Sequence, residues 1–284
     1  MTLGIAVLCD HGETIVMGSE QRATYGTTSA VGPNDECGKQ FYMKPYNVFV
    51  SVAGSLSVCQ KIYAQLAHMV ENLKDRENIP PELMATLVDE ARFHEMKRIY
   101  DWKLKQTLGV DLRGWAAGKL PGGVRMNKTF LEYGELLLQT TPLKCELIVA
   151  GFINGKGIFL RACQKREIEE ETSPGNYAIG TGQADAMRQL NKRGQNVHCK
   201  LPSTLLNVYE ALYVSQSQYV GPPPELLSIF RMREQRIMVY HTKFLESWRK
   251  TYENRASTKS LDDSGVAGRE VLARIRVMKD GSSK

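Results

Sequence analysis

The sequence predicts an α+β fold in which antiparallel sheets carry helices on their outer faces. Three observations lead there. Short apolar runs come in pairs around turn residues, as β-hairpins do. Blocks with apolar residues three and four apart interrupt them, as amphipathic helices do. The blocks follow the order strands, two helices, strands, two helices, strand, which is not the alternation of a parallel βαβ sheet.

Leu3 to Cys9 and Thr14 to Gly18 flank the turn signal Asp10-His11-Gly12-Glu13 and form the first hairpin. Phe41 to Lys44 and Val48 to Ala53 form the second, around Pro45-Tyr46-Asn47. Val58, Ile62, Leu66 and Met69/Val70 then share a helical face, which predicts a helix over 55–75. Ile79-Pro80-Pro81-Glu82 opens a second helix with proline in its first turn, and Leu83, Leu87, Ala91 and Ile99 continue it to 106. Strands return at Cys145 to Gly151, Gly157 to Ala162 and Glu167 to Glu170. Tyr177 to Ile179 leads into Gly180-Thr181-Gly182 and a helix through Leu190. Leu205, Val208, Tyr209 and Leu212 mark a fourth helix, with Ser203 expected as its cap after Pro202. Val271 to Met278 alternates and meets the turn Lys279-Asp280-Gly281, so it is the expected last strand.

Two segments fall outside this order, and both are expected as insertions in a single domain spanning 2–284. Residues 108–144 are rich in glycine around Pro121-Gly122-Gly123 and are long for a connection. Residues 221–256 begin with Gly221-Pro222-Pro223-Pro224, which introduces an expected long helix over 224–253 with Phe230, Ile237, Phe244 and Trp248 near one face.

Composition narrows the function classes. Of 284 residues, 42% are hydrophobic and 24% charged, which suits a folded domain rather than a disordered chain. The net charge of +6 permits an anionic partner without demanding one. Much of the excess lies between Arg231 and Lys259, with eight Lys/Arg against three Glu. No nucleic-acid-binding motif accompanies them, so no nucleic-acid partner is expected. The six cysteines, Cys9, Cys37, Cys59, Cys145, Cys163 and Cys199, are scattered, with no Cys-x-x-Cys pair, and are expected as reduced, mostly buried thiols. The apolar stretch 46–58 is too short to span a bilayer, and no basic region precedes Leu3 to Leu8 as a signal peptide requires. The expected compartment is the cytoplasm, with no membrane association.

Several catalytic and cofactor patterns fail on inspection. His11, His68, His94, His198 and His241 show no metal-ligand spacing, and Arg98 stands where a zinc motif starting at His94-Glu95 needs its second histidine. Gly180-x-Gly182 is followed by Asp185 at the third fingerprint position, which removes the dinucleotide pattern. Cys9 and His11 lie too close along one strand or turn to form a working dyad, and no Gly-x-Ser-x-Gly elbow is present. Neither a metal nor another cofactor is expected.

Thr2 follows the initiator Met and precedes a strand. Removal of Met1 would leave a threonine with a free α-amine. Such a residue carries its own chemistry, with Oγ as nucleophile and the amine as base. An α-amine titrates at about 7.7–8.0, close to working pH. Gly18-Ser19-Glu20-Gln21-Arg22-Ala23-Thr24 then follows the second strand, Gly38-Lys39 precedes the next pair, and Ser51-Val52-Ala53-Gly54 ends it at a helix start. Downstream come Leu147-Ile148-Val149-Ala150-Gly151-Phe152, the turn Gly155-Lys156-Gly157, Ala178-Ile179-Gly180-Thr181-Gly182, and Asp263-Ser264-Gly265 before the final strand and Lys279-Asp280-Gly281.

This series resembles the proteasome β-type peptidases of the N-terminal nucleophile hydrolases, and its start is most similar to the HslV-type bacterial peptidase. The resemblance covers roughly two thirds of the chain and implies a four-layer αββα sandwich. It implies Thr2 as nucleophile and base, with Lys39 beside it to favour the alkoxide and lower the amine pKa. Glu20, where the family usually has Asp, would hold Lys39, and Arg22 would support that site. The Gly54 N–H, at the head of a helix, would stabilise the oxyanion. Asp263, Ser264 and Thr181 would form the network around the amine, with Thr181 where the family has Ser. Ala23, Val52 and Leu56 are the pocket positions. Gln40 follows Lys39 directly, so a slip of one position would put an amide in the lysine's place.

The implied activity is a threonine-type endopeptidase, hydrolysing peptides or unfolded proteins within a homo-oligomeric proteasome-like ring. The 224–253 helix would line a ring interface or dock an ATP-dependent unfoldase. The alternatives are a catalytically silent structural subunit of such an assembly and a non-proteolytic amidohydrolase of the same fold.

Overall fold

The computed structural model describes residues 3–20, 39–43, 48–73, 79–153, 156–162, 168–171, 175–216, 220, 226–232, 236–243, 246 and 276–277. The elements are mixed α and β, and the strands form two fully antiparallel sheets.

The first hairpin pairs β1 (Leu3–Cys9) with β2 (Thr14–Ser19) around a tight turn at Asp10–Gly12. The second pairs β3 (Gln40–Met43) with β4 (Val48–Gly54). Next come β5 (Cys145–Ile153), β6 (Lys156–Ala162), β7 (Ile168–Glu171) and β8 (Asn176–Gly180). The last three strands are β9 (Leu226–Arg231), β10 (Arg236–His241) and β11 (Arg276–Val277). One sheet runs β11-β10-β9-β2-β1-β8 and the other β3-β4-β5-β6-β7.

The central strands β1, β2, β4 and β5 are apolar on both faces, and period-two alternation divides each between two cores. On β1, Leu3, Ile5, Val7 and Cys9 point to one buried cluster, while Ala6 and Leu8 point to another. On β4, Val48, Val50 and Val52 face one way and Phe49 and Ala53 the other. Ala6, Leu8, Ile15 and Met17 of the six-stranded sheet meet Phe49, Ile148, Ala150 and Phe159 of the five-stranded sheet in a shared apolar layer.

The opposite sheet faces carry helices. Helix α1 (Leu56–Glu71) buries Cys59, Ile62, Leu66 and Val70, the stripe expected from spacing. With α2 (Pro81–Leu108) it covers the outer face of the five-stranded sheet. Helices α5 (Gln183–Lys192) and α6 (Leu201–Val214) cover the outer face of the six-stranded sheet. Arg193, just past α5, forks onto the buried Glu210 of α6 with two 2.5 Å hydrogen bonds. Helix α6 starts one turn earlier than its expected cap allows. Lys200 holds the cap position and Ser203 lies inside the first turn, because Pro202, with its fixed φ and no N–H, suits that turn.

Segment 108–144 has structure of its own. Helices α3 (Leu112–Ala116) and α4 (Lys128–Gln139) pack with the C-terminal half of α2 around Leu104, Val110, Met126 and Leu138. Asp111 and Asn127 cap them by accepting the N–H groups of Gly114 and Phe130 at 2.6 and 2.8 Å.

Segment 221–256 departs from expectation. Residues 226–231 and 236–241 are strands, so the long helix over 224–253 does not form there, nor does an interface helix built on it. β9 pairs with β2 inside the six-stranded sheet, with Ile15 opposite Phe230. A seven-residue spacing such as Phe230 to Ile237 fits a helix face, but short apolar runs cannot be told from buried strands by period alone. The free edge of β2 decides, because its backbone groups must be paired when buried. Phe230 then points into the inter-sheet layer at 1% exposure and touches Phe49 and Phe152.

Phe230→Ala is therefore expected to cost about 3–5 kcal/mol of unfolding free energy in urea titration. A loss below about 1 kcal/mol would mean that the ring carries little of the sheet-to-sheet packing.

Candidate functional site

The expected catalytic residues that lie among the described ones converge where β1 begins. Leu3 stands opposite Gly180 of β8, and Gly4 stands opposite Ser19 of β2. As the chain leaves β2, the Glu20 N–H donates to the Leu3 carbonyl at 3.1 Å. The Glu20 side chain turns inward and is 1% exposed. Lys39 enters just before β3, and its carbonyl accepts the Val52 N–H at 3.0 Å, which fixes it alongside β4.

Lys39 Nζ donates to Glu20 Oε1 at 2.5 Å, and the two side chains are 2% and 1% exposed. An ion pair this deep is costly to desolvate and tolerates little change in geometry. It joins the end of β2 in one sheet to the start of β3 in the other. The neighbouring Gln40 engages a different partner, accepting the Ser228 hydroxyl of β9 at 3.0 Å. Of the two adjacent positions, it is Lys39 that meets the carboxylate.

Gly54 ends β4 with φ +116, a region that favours glycine. A side chain there would also run into the Lys144 carbonyl, which already accepts the Ser55 N–H at 2.8 Å. This forced turn starts α1 at Leu56, with Leu56 half-buried. Val52, expected at the pocket, is 1% exposed and packs with the residues facing α1 and α2. Strand alternation turns Ser51 and Ala53, not Val52, toward the inter-sheet layer. Thr181 lies in the exposed turn after β8. Thr2, Arg22, Ala23, Asp263 and Ser264 lie outside the described residues.

Three groups to which the motifs assigned no role also sit here. Glu146, opposite Ala53 across the β4–β5 ladder, accepts the Gly180 N–H through Oε2 at 2.8 Å. It ties the five-stranded sheet to the end of β8, and its signal was a lone carboxylate in the apolar run Cys145 to Gly151. Ser51 Oγ is fully buried and has no hydrogen-bond partner among the described residues. A Cβ at Gly4 would come within 2.5 Å of it, so glycine is what lets β1 and β4 approach. Beneath the Gly54 turn, the Cys59 thiol meets Cys145 Sγ at 2.9 Å.

The cysteines offer poor nucleophiles. The hydrogen bond from Cys59, then burial, pushes the Cys145 thiol well above its ordinary pKa. Burial first, then the Asp10 carboxylate, does the same to Cys9. Both remain thiols, and Cys9 points into the helix-side core. Among the described residues Cys9, Cys59, Cys145 and Cys199 are all free, and only Cys199 is partly exposed.

No protein-family model matches the chain, and no curated protein matches it significantly. Among the described residues no helix is long and apolar enough to cross a membrane.

Two tests follow from this geometry. Glu20→Gln and Lys39→Met should each lower the unfolding free energy by about 3–5 kcal/mol, while the double variant Glu20→Leu with Lys39→Met loses far less than the sum. Additive losses in urea titration would show that the two side chains are not coupled. Iodoacetamide at about pH 8 should leave Cys9 and Cys145 unmodified in the folded protein and alkylate both after unfolding. Rapid modification of either in the native state would contradict their burial as neutral thiols.

Proposed function

We propose that the chain is an N-terminal threonine peptidase of the N-terminal nucleophile hydrolase fold. The observation that carries this reading is the buried Lys39–Glu20 pair beside the carbonyl of Leu3. Leu3 is one residue after Thr2, and the residue that bonds its carbonyl, Glu20, is also the one that holds the desolvated Lys39 ammonium. The two stacked antiparallel sheets, with α1 and α2 outside one and α5 and α6 outside the other, support the αββα sandwich as the fold.

In this mechanism Met1 is removed and the α-amine of Thr2 takes the proton of its own Oγ. Oγ attacks the substrate carbonyl carbon, and the Lys39 charge stabilises the oxygen as it loses the proton. Glu20 neutralises and fixes Lys39 in an otherwise apolar layer. Gly54, at the head of α1, supplies the N–H for the tetrahedral oxyanion. The amine passes the proton to the leaving nitrogen, the peptide bond breaks, and an ester to Thr2 remains. Water then attacks the ester, giving up a proton through the same amine, and frees the acid. Peptides or unfolded proteins are the proposed substrates, and a homo-oligomeric ring the proposed assembly.

A peptide epoxyketone or β-lactone, followed by digestion and mass spectrometry, tests this directly. The label is expected on Thr2, absent in Thr2→Ala, and slower by about 100-fold or more in Lys39→Met. If Met1 is absent and Thr2 stays unlabelled, the chain acts as a silent subunit. If Met1 is retained, the amine mechanism is excluded.

A further inference from the structure

We propose that His11 and His198 form a binding site for a late first-row divalent transition metal, Zn²⁺ being the reference ion. The two residues are 187 positions apart, yet their Nδ1 atoms lie 3.1 Å from each other. Two nitrogens bound to one tetrahedral Zn²⁺ at 2.0–2.1 Å stand about 3.3 Å apart. The existing separation is thus close to a chelating bite. The ring centroids are 5.2 Å apart and the ring planes meet at 63°, so binding one ion requires the two rings to rotate until both lone pairs converge on it.

The backbone holds both rings in place. The His11 N–H donates to the Val197 carbonyl at 2.7 Å, and the Asp10 N–H donates to the Cys199 carbonyl at 2.8 Å. The His198 N–H donates to Asn196 Oδ1 at 2.8 Å. Asp10 is pinned from both sides, accepting the Thr14 hydroxyl at 3.1 Å and the Leu201 N–H at 3.3 Å. His11 itself sits at φ +61, in the left-handed region that histidine adopts more readily than most non-glycine residues. From there its imidazole reaches His198 in the segment between α5 and α6.

Imidazole nitrogen suits Zn²⁺, Ni²⁺ and Cu²⁺, with Cu²⁺ binding most tightly in general. Among the described residues no group of three or more His, Cys, Asp or Glu converges. Two protein ligands therefore leave at least two positions to water, which makes the ion exchangeable and open to a further ligand. Without metal, one Nδ1–H donates to the other Nδ1. With metal, both rings carry their proton on Nε2 and present Nδ1 as a lone pair. The site lies at the far end of β1 from Leu3, about 20 Å away at strand rise, so it is separate from the proposed peptidase centre.

The test uses the full chain without an affinity tag, titrated with ZnCl₂ by calorimetry and followed by thermal melting. The wild type is expected to bind one equivalent through these rings and to melt higher with Zn²⁺, reversibly on chelation. His11→Asn, which tolerates the left-handed backbone, and His198→Gln should each weaken that binding by about tenfold or more and remove the shift. His68→Gln should keep both. Absence of binding in the wild type, or unchanged binding in either site variant, would overturn the proposal and leave the pair as a hydrogen bond alone.

Discussion

The contact between the two sheets is the constraint on which the rest of this protein depends. Each central strand is apolar on both faces, so neither sheet can leave a face in water. Ala6, Ile15 and Met17 must meet Phe49, Ile148 and Phe159, and the outer faces must then find helices. The hydrophobic stripes of α1 and α6 answer that need. Hydrogen-bonded backbone fills the layers, and period-two alternation assigns each side chain to one core or another.

Within this arrangement the Lys39–Glu20 pair is costly. Two charges lie almost fully buried at the end of an apolar layer, where hydrophobic residues of similar size would serve stability as well or better. The pair also sits where the chain enters β1, and the forced turn at Gly54 places the head of α1 at the end of β4, where β5 begins. Stability alone gives no reason for the buried pair, and the proposed function rests on it for that reason.

The extension built on α2 follows a different logic. A helix of 28 residues is about 42 Å long. It outruns the sheet it covers, and its second half needs another apolar partner. The short helices α3 and α4 supply one through Trp115, Phe130 and Leu138. This explains how a glycine-rich segment can hold a defined shape without joining either sheet.

The sequence by itself determined most of the local elements and marked part of the candidate site. Paired apolar runs around turn residues located β1, β2 and β4, and three-four spacing located α1, α2 and α6, because both patterns record burial. The order of short motifs picked out Glu20, Lys39 and Gly54, since a charged residue beside a strand end and a glycine at a strand-to-helix turn each leave a local trace. Strand pairing left no such trace. Residues 226–241 suit a helical face as well as a strand, and only the open edge of β2 settled the matter. Glu146 reaches Gly180, and His11 reaches His198, across 34 and 187 positions. Spacing along the chain carries no information about such pairs, because chain folding rather than local geometry brings them together. Tertiary structure alone decided them.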